Sequence, residues 1–166
     1  VDAARGHVFV SRGDRVEVID KDGKLVGTIA GTDGVHGMVI VPALHRGFTT
    51  NGKANTLTEF DLDTFARIAD IPVGGKSPDD IAWDASTGRL FAFNAKSNEV
   101  SVVDPKSGKE LSRIGFEGNP ELSADDGRGH VFVNIEDKGQ LVEIDAASAK
   151  VAHTWTLTDC EGPTGL

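Results

Sequence analysis

The sequence predicts an all-β fold made of four copies of one four-stranded antiparallel unit. A repeat of about 41 residues fills the whole chain of 166 residues. Within it, apolar and polar residues alternate with a period of two, and glycine-rich turns separate the segments, as expected for strands. The clearest landmark is an aspartate that ends an alternating segment and recurs at spacings of 41, 43 and 41, at Asp20, Asp61, Asp104 and Asp145.

Each copy contains four candidate strands in a fixed order. A short apolar first strand, such as Met38 to Val41, is followed by a second strand that carries a phenylalanine. The third strand ends at the repeated aspartate, and a fourth strand, such as Leu25 to Ala30, follows a tight turn. Residues 59–71 also have apolar residues three or so apart, but the repeat register predicts strands there. The phenylalanines of the second strands are Phe9, Phe48, Phe91 and Phe132.

The four repeated aspartates are predicted to be structural. A carboxylate at the first position of a turn accepts hydrogen bonds from backbone N–H groups two residues on. Each aspartate would therefore fix the hairpin that joins the third strand of its copy to the fourth.

Composition excludes some classes of function. With 26 acidic and 17 basic side chains the formal charge is −9, which argues against nucleic acid, because phosphate binding depends on Lys and Arg. No uncharged apolar run is long enough to span a bilayer. The single cysteine, Cys160, cannot form an internal disulfide and does not indicate a redox compartment.

Four-stranded units of about 40 residues that repeat with glycine-rich turns are typical of β-propeller blades. The predicted blades are residues 1–37, 38–80, 81–121 and 122–163, and residues 164–166 would begin the next inner strand. We expect each copy to form its own sheet, separate from the sheets of its neighbours.

Three segments of the third copy carry a resemblance to a known family. They are Ser77–Asp84, Thr87–Asn94 and Ser97–Asp104, and they resemble the YVTN-type β-propeller repeat of YncE-like proteins. The Tyr-Val-x-Asn core of that family becomes Phe-Ala-Phe-Asn here, and its asparagine survives only as Asn51 and Asn94. The resemblance implies a propeller of about seven blades, of which four are present, and an exported protein, periplasmic or extracellular.

Three arrangements of the four blades stay open. The chain, which begins at Val1, is a piece of a longer protein, a closed four-bladed ring, or half of an eight-bladed ring made by two chains. In the second arrangement the tail from Pro163 to Leu166 would complete the first blade, which lacks most of its inner strand. We expect the first arrangement, in which open blade edges would favour self-association.

Candidate site residues lie in two sets of loops that emerge on one face, beside the central channel. The links between copies carry carboxylates, one histidine and Lys76. The loops between second and third strands carry cations such as Arg12, Lys53, Lys96 and Lys138. An acidic centre with a basic rim suits a cationic ligand, a divalent metal or a protein partner. The candidate ligand-binding residues are His36, Asp79, Asp80, Glu121 and Asn94, and the candidate metal ligands are Asp79, Asp80 and Glu121.

The sequence favours a non-catalytic binding module that takes a protein or small-molecule partner at this loop face. No motif for a catalytic nucleophile, a zinc site or a phosphate loop occurs. The alternative is a metal-dependent hydrolase resembling the lactonases of the propeller fold, an analogy of fold only, in which His36, Asp79, Asp80 and Glu121 act with calcium. No cofactor is otherwise predicted. Binding of single-stranded nucleic acid along the basic loops is the weakest interpretation because of the net charge.

Overall fold

Fourteen strands form the protein in a computed structural model, which describes residues 1–166. The chain has no α-helix, and only three short 3₁₀ turns, at Pro42–Leu44, Ala95–Ser97 and Glu136–Lys138. The strands are β1 (Val8–Ser11), β2 (Gly13–Ile19), β3 (Leu25–Val41), β4 (Arg46–Asn51), β5 (Thr56–Asp61), β6 (Arg67–Pro72), β7 (Pro78–Asp84), β8 (Arg89–Asn94), β9 (Glu99–Asp104), β10 (Lys109–Gly115), β11 (Pro120–Asp125), β12 (His130–Ile135), β13 (Gln140–Asp145) and β14 (Lys150–Thr156).

The strands pair as antiparallel meanders, which confirms the predicted all-β fold of four-stranded propeller blades. Strands β7–β10 form one sheet, here called blade 3, and β11–β14 form another, blade 4. Blade 1 consists of β1, β2 and residues 25–30, and blade 2 of residues 38–41 with β4, β5 and β6. Residues 59–71 are strands, as the repeat register predicted. None of the helical segments is long or apolar enough to cross a lipid bilayer.

The expectation of separate sheets is wrong at the junction between blades 1 and 2. Strand β3 runs without interruption from the outer edge of blade 1 into the inner edge of blade 2, so six strands belong to one sheet. Its first half pairs with β2 and its second half with β4, while Val35 pairs with both Gly13 and Asn51.

A proline explains why the other junctions are interrupted. The residues that correspond to Val35 are Pro78, which pairs with Asn94, and Pro120, which pairs with Ile135. Proline has no backbone N–H to donate and restricts the residue before it. Val35 keeps its N–H group, so the strand continues through the link between copies.

The repeated aspartates close their turns as the sequence predicted. Asp61 is representative, because its Oδ1 accepts the backbone N–H groups of Asp63 at 3.0 Å and Thr64 at 2.8 Å. The hydrogen bonds from Thr64 hold the pKa of Asp61 below its ordinary value. Equivalent backbone bonds reach Asp20 from Asp22 and Lys24, Asp104 from Lys106, and Asp145 from Ser148.

The hydrophobic core lies between consecutive blades. Phe91 and Phe93 of blade 3 pack against Val131, Val133 and Ile144 of blade 4, and all five are fully buried. Removing a buried phenylalanine side chain of this kind costs about 3–5 kcal/mol. Each blade is therefore stabilised mainly by its neighbours.

The outer face of blade 4 has no following blade. Ile71 of blade 2 and Ile114 of blade 3 are 3% and 9% exposed, and Trp155 at the corresponding position of blade 4 is 43% exposed. Beside this face Pro163 is buried, and Asn134 Nδ2 donates to the Gly165 carbonyl at 2.8 Å. The tail thus lies where an inner strand would begin, while β1 pairs with β2 alone.

Candidate functional site

Two sets of loops meet on one face of the molecule in a repeated backbone arrangement. The first residue after each second strand donates its N–H to a carbonyl of the link between copies. These bonds join Gly52 to Gly34 (2.9 Å), Ala95 to Ser77 (3.0 Å) and Glu136 to Asn119 (3.0 Å). The same frame therefore recurs in blades 2, 3 and 4 and carries different side chains in each.

A cleft of about 510 Å³ opens between the loops of blades 2 and 3. No hydrophobic residue lines it. We call it the basic cleft, because three lysines and one histidine face a single carboxylate. Its lining residues are Gly34, His36, Gly52, Lys53, Asn55, Lys76, Ser77, Asp79 and Lys96.

The three lysines of the basic cleft are exposed, and two of them have no ion-pair partner. Lys53 Nζ lies 3.5 Å from Asp33 Oδ1. Lys76 and Lys96 form no salt bridge, although their backbones are fixed, because Lys96 N–H donates to the Lys76 carbonyl at 3.2 Å. Lys76 N–H in turn donates to Ser97 Oγ at 2.9 Å. The cleft therefore presents free ammonium groups on an ordered backbone.

The structure brings two of the predicted site residues together at the wall of the cleft. His36 Nδ1 lies 3.2 Å from Asp79 Oδ1, with side chains 66% and 29% exposed. They occupy corresponding positions of the two consecutive links between copies, on β3 and β7. Adjacent inner strands place them side by side, and the contact sets the only carboxylate of the cleft against an imidazole.

Asn55 and Ser77 add polar groups that the sequence analysis did not single out. Asn55 Oδ1 accepts the backbone N–H of Ser77 at 2.8 Å, so the Asn55 Nδ2 group remains as a donor. The Ser77 hydroxyl has no hydrogen-bond partner within the protein. Both residues have left-handed backbones, with φ of 56° and 57°. The repeat register could have identified both residues, because it places the loop after each second strand next to the link that precedes the following copy.

Asp80 is used for contacts between blades 3 and 4. Its Oδ2 accepts the Ser123 backbone N–H at 2.7 Å and the Ser123 hydroxyl at 2.5 Å. Burial raises the pKa of Asp80, and the hydrogen bonds from Ser123 oppose that shift. Asp80 does not line the basic cleft.

Glu121 belongs to the corresponding junction one blade further round. It lies on β11, at the position that corresponds to His36 on β3 and Asp79 on β7. Burial raises its pKa first, and the negative charge of Glu136 raises it further, with smaller contributions from Asp79 and Asp80. Asp137 Oδ1 accepts the Asn119 backbone N–H at 2.7 Å. We call Glu121, Glu136 and Asp137 the acidic junction.

Asn94 lies beneath the surface. It is fully buried, and its Nδ2 donates to Ser101 Oγ at 2.9 Å. A Cβ at Gly75 would stand 2.1 Å from Asn94 Nδ2, so the chain can pass over this side chain only as glycine. Asn94 supports the link that carries Lys76 and does not line the cleft.

The candidate metal ligands do not come together as a coordination shell. No group of three or more His, Cys, Asp or Glu side chains is arranged to hold a metal ion. Asp79 contacts His36, and Asp80 accepts two bonds from Ser123. The residues present therefore do not fit a calcium site.

Solved structures share this fold at low sequence identity. The chain is similar to Kuenenia stuttgartiensis hydrazine synthase, with 16% identity and a TM-score of 0.85 over 95% of this chain and 47% of that one. It is also similar to a chain of the nidogen/laminin complex, with 18% identity and a TM-score of 0.77 over 93% and 61%. A third is dihydro-heme d1 dehydrogenase NirN, with 18% identity and a TM-score of 0.70 over 93% and 36%.

These neighbours are β-propeller proteins, and the likeness shows the fold. The chain spans between 36% and 61% of the three matched chains. No protein-family model matches the sequence, and none of the curated proteins matches it.

Proposed function

We propose that the chain is a segment of a non-catalytic β-propeller that binds a ligand at its loop face, in the basic cleft. The observation that carries this proposal is the cleft itself, about 510 Å³ in volume and lined by polar and glycine residues of two blades. Ligand sites commonly occur in concave places with a few fixed polar groups. The wall contact between His36 and Asp79 and the anchored backbone of Lys76 supply such groups.

The family, location and partners belong to the same proposal. The YVTN-type segments of the third copy support a YncE-like protein that is periplasmic or extracellular. A protein partner at the loop face is compatible with this fold, since one matched structure is the nidogen/laminin complex. The exposed Trp155 and the unpaired edge of β1 support self-association of this segment.

A metal-dependent hydrolase is the second candidate. The observation in its favour is the raised pKa of Glu121, which burial and the neighbouring Glu136 cause. Carboxyl groups with shifted pKa values are common in active sites. The matched structures include a synthase and a dehydrogenase, so the fold also occurs in enzymes. The hydrogen bonds of Asp80 and the lack of a three-ligand cluster weigh against this alternative.

The test of the binding site is a fragment titration of ¹⁵N-labelled protein followed by its amide NMR spectrum. The mixture contains small polar fragments that are neutral, cationic or anionic. We expect shifts confined to the loops at residues 34–36, 52–55, 76–79 and 96, and loss of these shifts in Lys76→Trp, which fills the cleft. Lys106→Trp, on the opposite turn, is the matched control. Shifts scattered over the surface would contradict the proposal.

Calorimetric titration with calcium separates the two candidates. We expect no calcium binding by the binding module. Micromolar calcium binding that disappears in Asp79→Asn would favour the hydrolase instead.

A further inference from the structure

We infer that the basic cleft recognises a small hydrophilic oxyanion with more than one negative charge, of the phosphate or polycarboxylate class. This inference rests on the proposed binding function and specifies its ligand. It reverses the expectation from the sequence, in which an acidic channel mouth suited a cation.

The first argument is the local balance of charge. Lys53 pairs with Asp33, whereas Lys76 and Lys96 form no salt bridge, and Asp79 is the only carboxylate that lines the cleft, in a chain whose formal charge is −9. Lys76 and Lys96 line the same cleft, and neither has a carboxylate as an ion-pair partner. An oxyanion between them would supply the missing charge in charge-assisted hydrogen bonds.

The second argument is the supply of donors. Asn55 Nδ2 and the Ser77 hydroxyl are available beside the lysines, because Asn55 Oδ1 is occupied by the Ser77 N–H group. Oxyanions accept several hydrogen bonds at once, so an oxyanion could use the amide, hydroxyl and ammonium donors of the cleft together. No hydrophobic residue lines the cleft, so its side chains favour a hydrophilic ligand.

The third argument comes from the acidic junction, which has the same backbone frame. Asp137 stands there at the position of Lys53 and Lys96, and Gly118 at the position of Lys76. The Asp137 carboxylate folds over the link and accepts the Asn119 N–H group, and it lies 2.2 Å from where a Gly118 Cβ would be. The frame therefore forms without a lysine at either of these positions, so folding does not explain why lysines occupy them in the cleft.

Hydrogen bonds to the link fix the backbone positions from which the lysine side chains extend. The Lys76 backbone is held by Ser97 Oγ and by the Lys96 N–H group. Ser77 is held by Asn55 Oδ1 and by the Ala95 N–H group. The anion would therefore meet lysines on fixed backbone positions, and only their side chains would have to be ordered on binding.

The test is a titration of ¹⁵N-labelled protein at constant ionic strength with inorganic pyrophosphate and, separately, with citrate. We expect shifts at the amides of Lys53, Lys76, Ser77 and Lys96 with at least one of the two probes. In the double variant Lys76→Gln/Lys96→Gln, affinity should fall about tenfold, since two exposed ion pairs with the anion are lost. The matched control is Lys106→Gln/Lys138→Gln, which removes two exposed charges outside the cleft and should leave affinity unchanged.

The two probes distinguish the two sources of oxyanion, since a preference for pyrophosphate indicates a phosphorylated ligand and a preference for citrate a polycarboxylate. Trehalose serves as a neutral probe and calcium chloride as a cationic one. Shifts of the cleft amides by trehalose or calcium but not by either anion would overturn the oxyanion inference and leave the proposed binding site intact. Equal loss of affinity in the control and cleft variants would show nonspecific charge attraction and would also overturn the inference. No response of the cleft amides to any probe would contradict both proposals.

Discussion

The basic cleft and the acidic junction are built on one backbone frame and carry opposite charges. Both are formed where a loop after the second strand donates to the preceding link, through Ala95 in one case and Glu136 in the other. In the cleft the side chains are lysines that leave a cavity open. In the acidic junction Asp137 folds back onto the link, and no cavity of the same kind remains.

The difference separates what folding requires from what a ligand requires. Features shared by both regions, such as the backbone bonds and the left-handed residues Asn55, Asn98 and Gly139, belong to the repeat. Features that differ are free of that constraint. The charge and openness of the cleft are therefore the properties to which we assign function.

The largest effect is expected when the cleft is given the residue of the acidic junction. Lys96→Asp reverses one charge and introduces a carboxylate that can accept a link N–H group, as Asp137 does. Affinity for pyrophosphate should fall more than about tenfold, since two units of charge change beside the anion. Calorimetry measures this, with Lys106→Asp as the control of equal charge change. Unaltered affinity in Lys96→Asp would show that the cleft is not the anion site.

The next effect concerns the hydrogen bonds that connect adjacent blades, first between blades 3 and 4 and then at the basic cleft. Asp80→Ala leaves the Ser123 N–H and hydroxyl without their acceptor and should lower the free energy of unfolding by about 1–3 kcal/mol. Asp80→Asn keeps an acceptor and removes a buried charge, so it should cost less. At the cleft, Thr50 Oγ1 donates to the Asp79 carbonyl at 2.9 Å, and Thr50→Val should cost about 1 kcal/mol. Urea unfolding measures all three, and an equal loss in Asp80→Ala and Asp80→Asn would contradict the account.

A smaller effect is a pH dependence of stability that arises at the acidic junction. The folded-state pKa of Glu121 is raised by burial and by Glu136, so the folded state holds this proton more tightly than the unfolded state. The contribution of Glu121 is favourable below its ordinary pKa and is lost as pH rises through the raised value. Glu136→Gln should reduce this loss when urea midpoints are compared from pH 4 to pH 7, whereas Glu117→Gln, at an exposed site, should not.

The smallest effect concerns a histidine–aspartate pair that lies outside the basic cleft and the acidic junction. His130 Nδ1 is 2.8 Å from Asp126 Oδ2 in a turn of blade 4. The hydrogen bond with His130 lowers the pKa of Asp126 to about 2, and the same bond raises the pKa of His130. NMR titration should show both shifts, and Asp126→Asn should return His130 toward its ordinary pKa.

The two pKa shifts of this pair determine how its contribution to the free energy of unfolding changes with pH. The Asp126 contribution is present above its ordinary pKa and is lost as pH falls through about 2. The His130 contribution is present below its ordinary pKa and is lost as pH rises through the raised value. An ordinary pKa for His130 in the unmodified protein would contradict the contact.

The repeat made much of the fold predictable from sequence. Strand order, the aspartate turns and the rejection of a helix at residues 59–71 followed from register, because equivalent residues must satisfy the same backbone bonds. The fusion of blades 1 and 2 through β3 was missed, although it depends on a readable difference, Val35 in place of Pro78 and Pro120. Extended pairing in a link requires a backbone N–H group, and the prolines lack it.

The site was predictable only in part, because it depends on which side chains meet between copies. The sequence placed His36 and Asp79 at corresponding positions, and the structure puts them in contact. It placed Lys53, Lys76 and Lys96 in loops of one face, but their convergence depends on packing between two blades. Asn94 was drawn from the family motif, and its burial beneath Gly75 depends on a close approach that spacing does not show.

The most direct measurement is a crystal structure of the protein grown with pyrophosphate. The account predicts the anion in the basic cleft, within hydrogen-bond distance of Lys76 Nζ and Lys96 Nζ, and none at Glu121, Glu136 and Asp137. An anion bound at other lysines of the surface, with the cleft empty at saturating pyrophosphate, would contradict it.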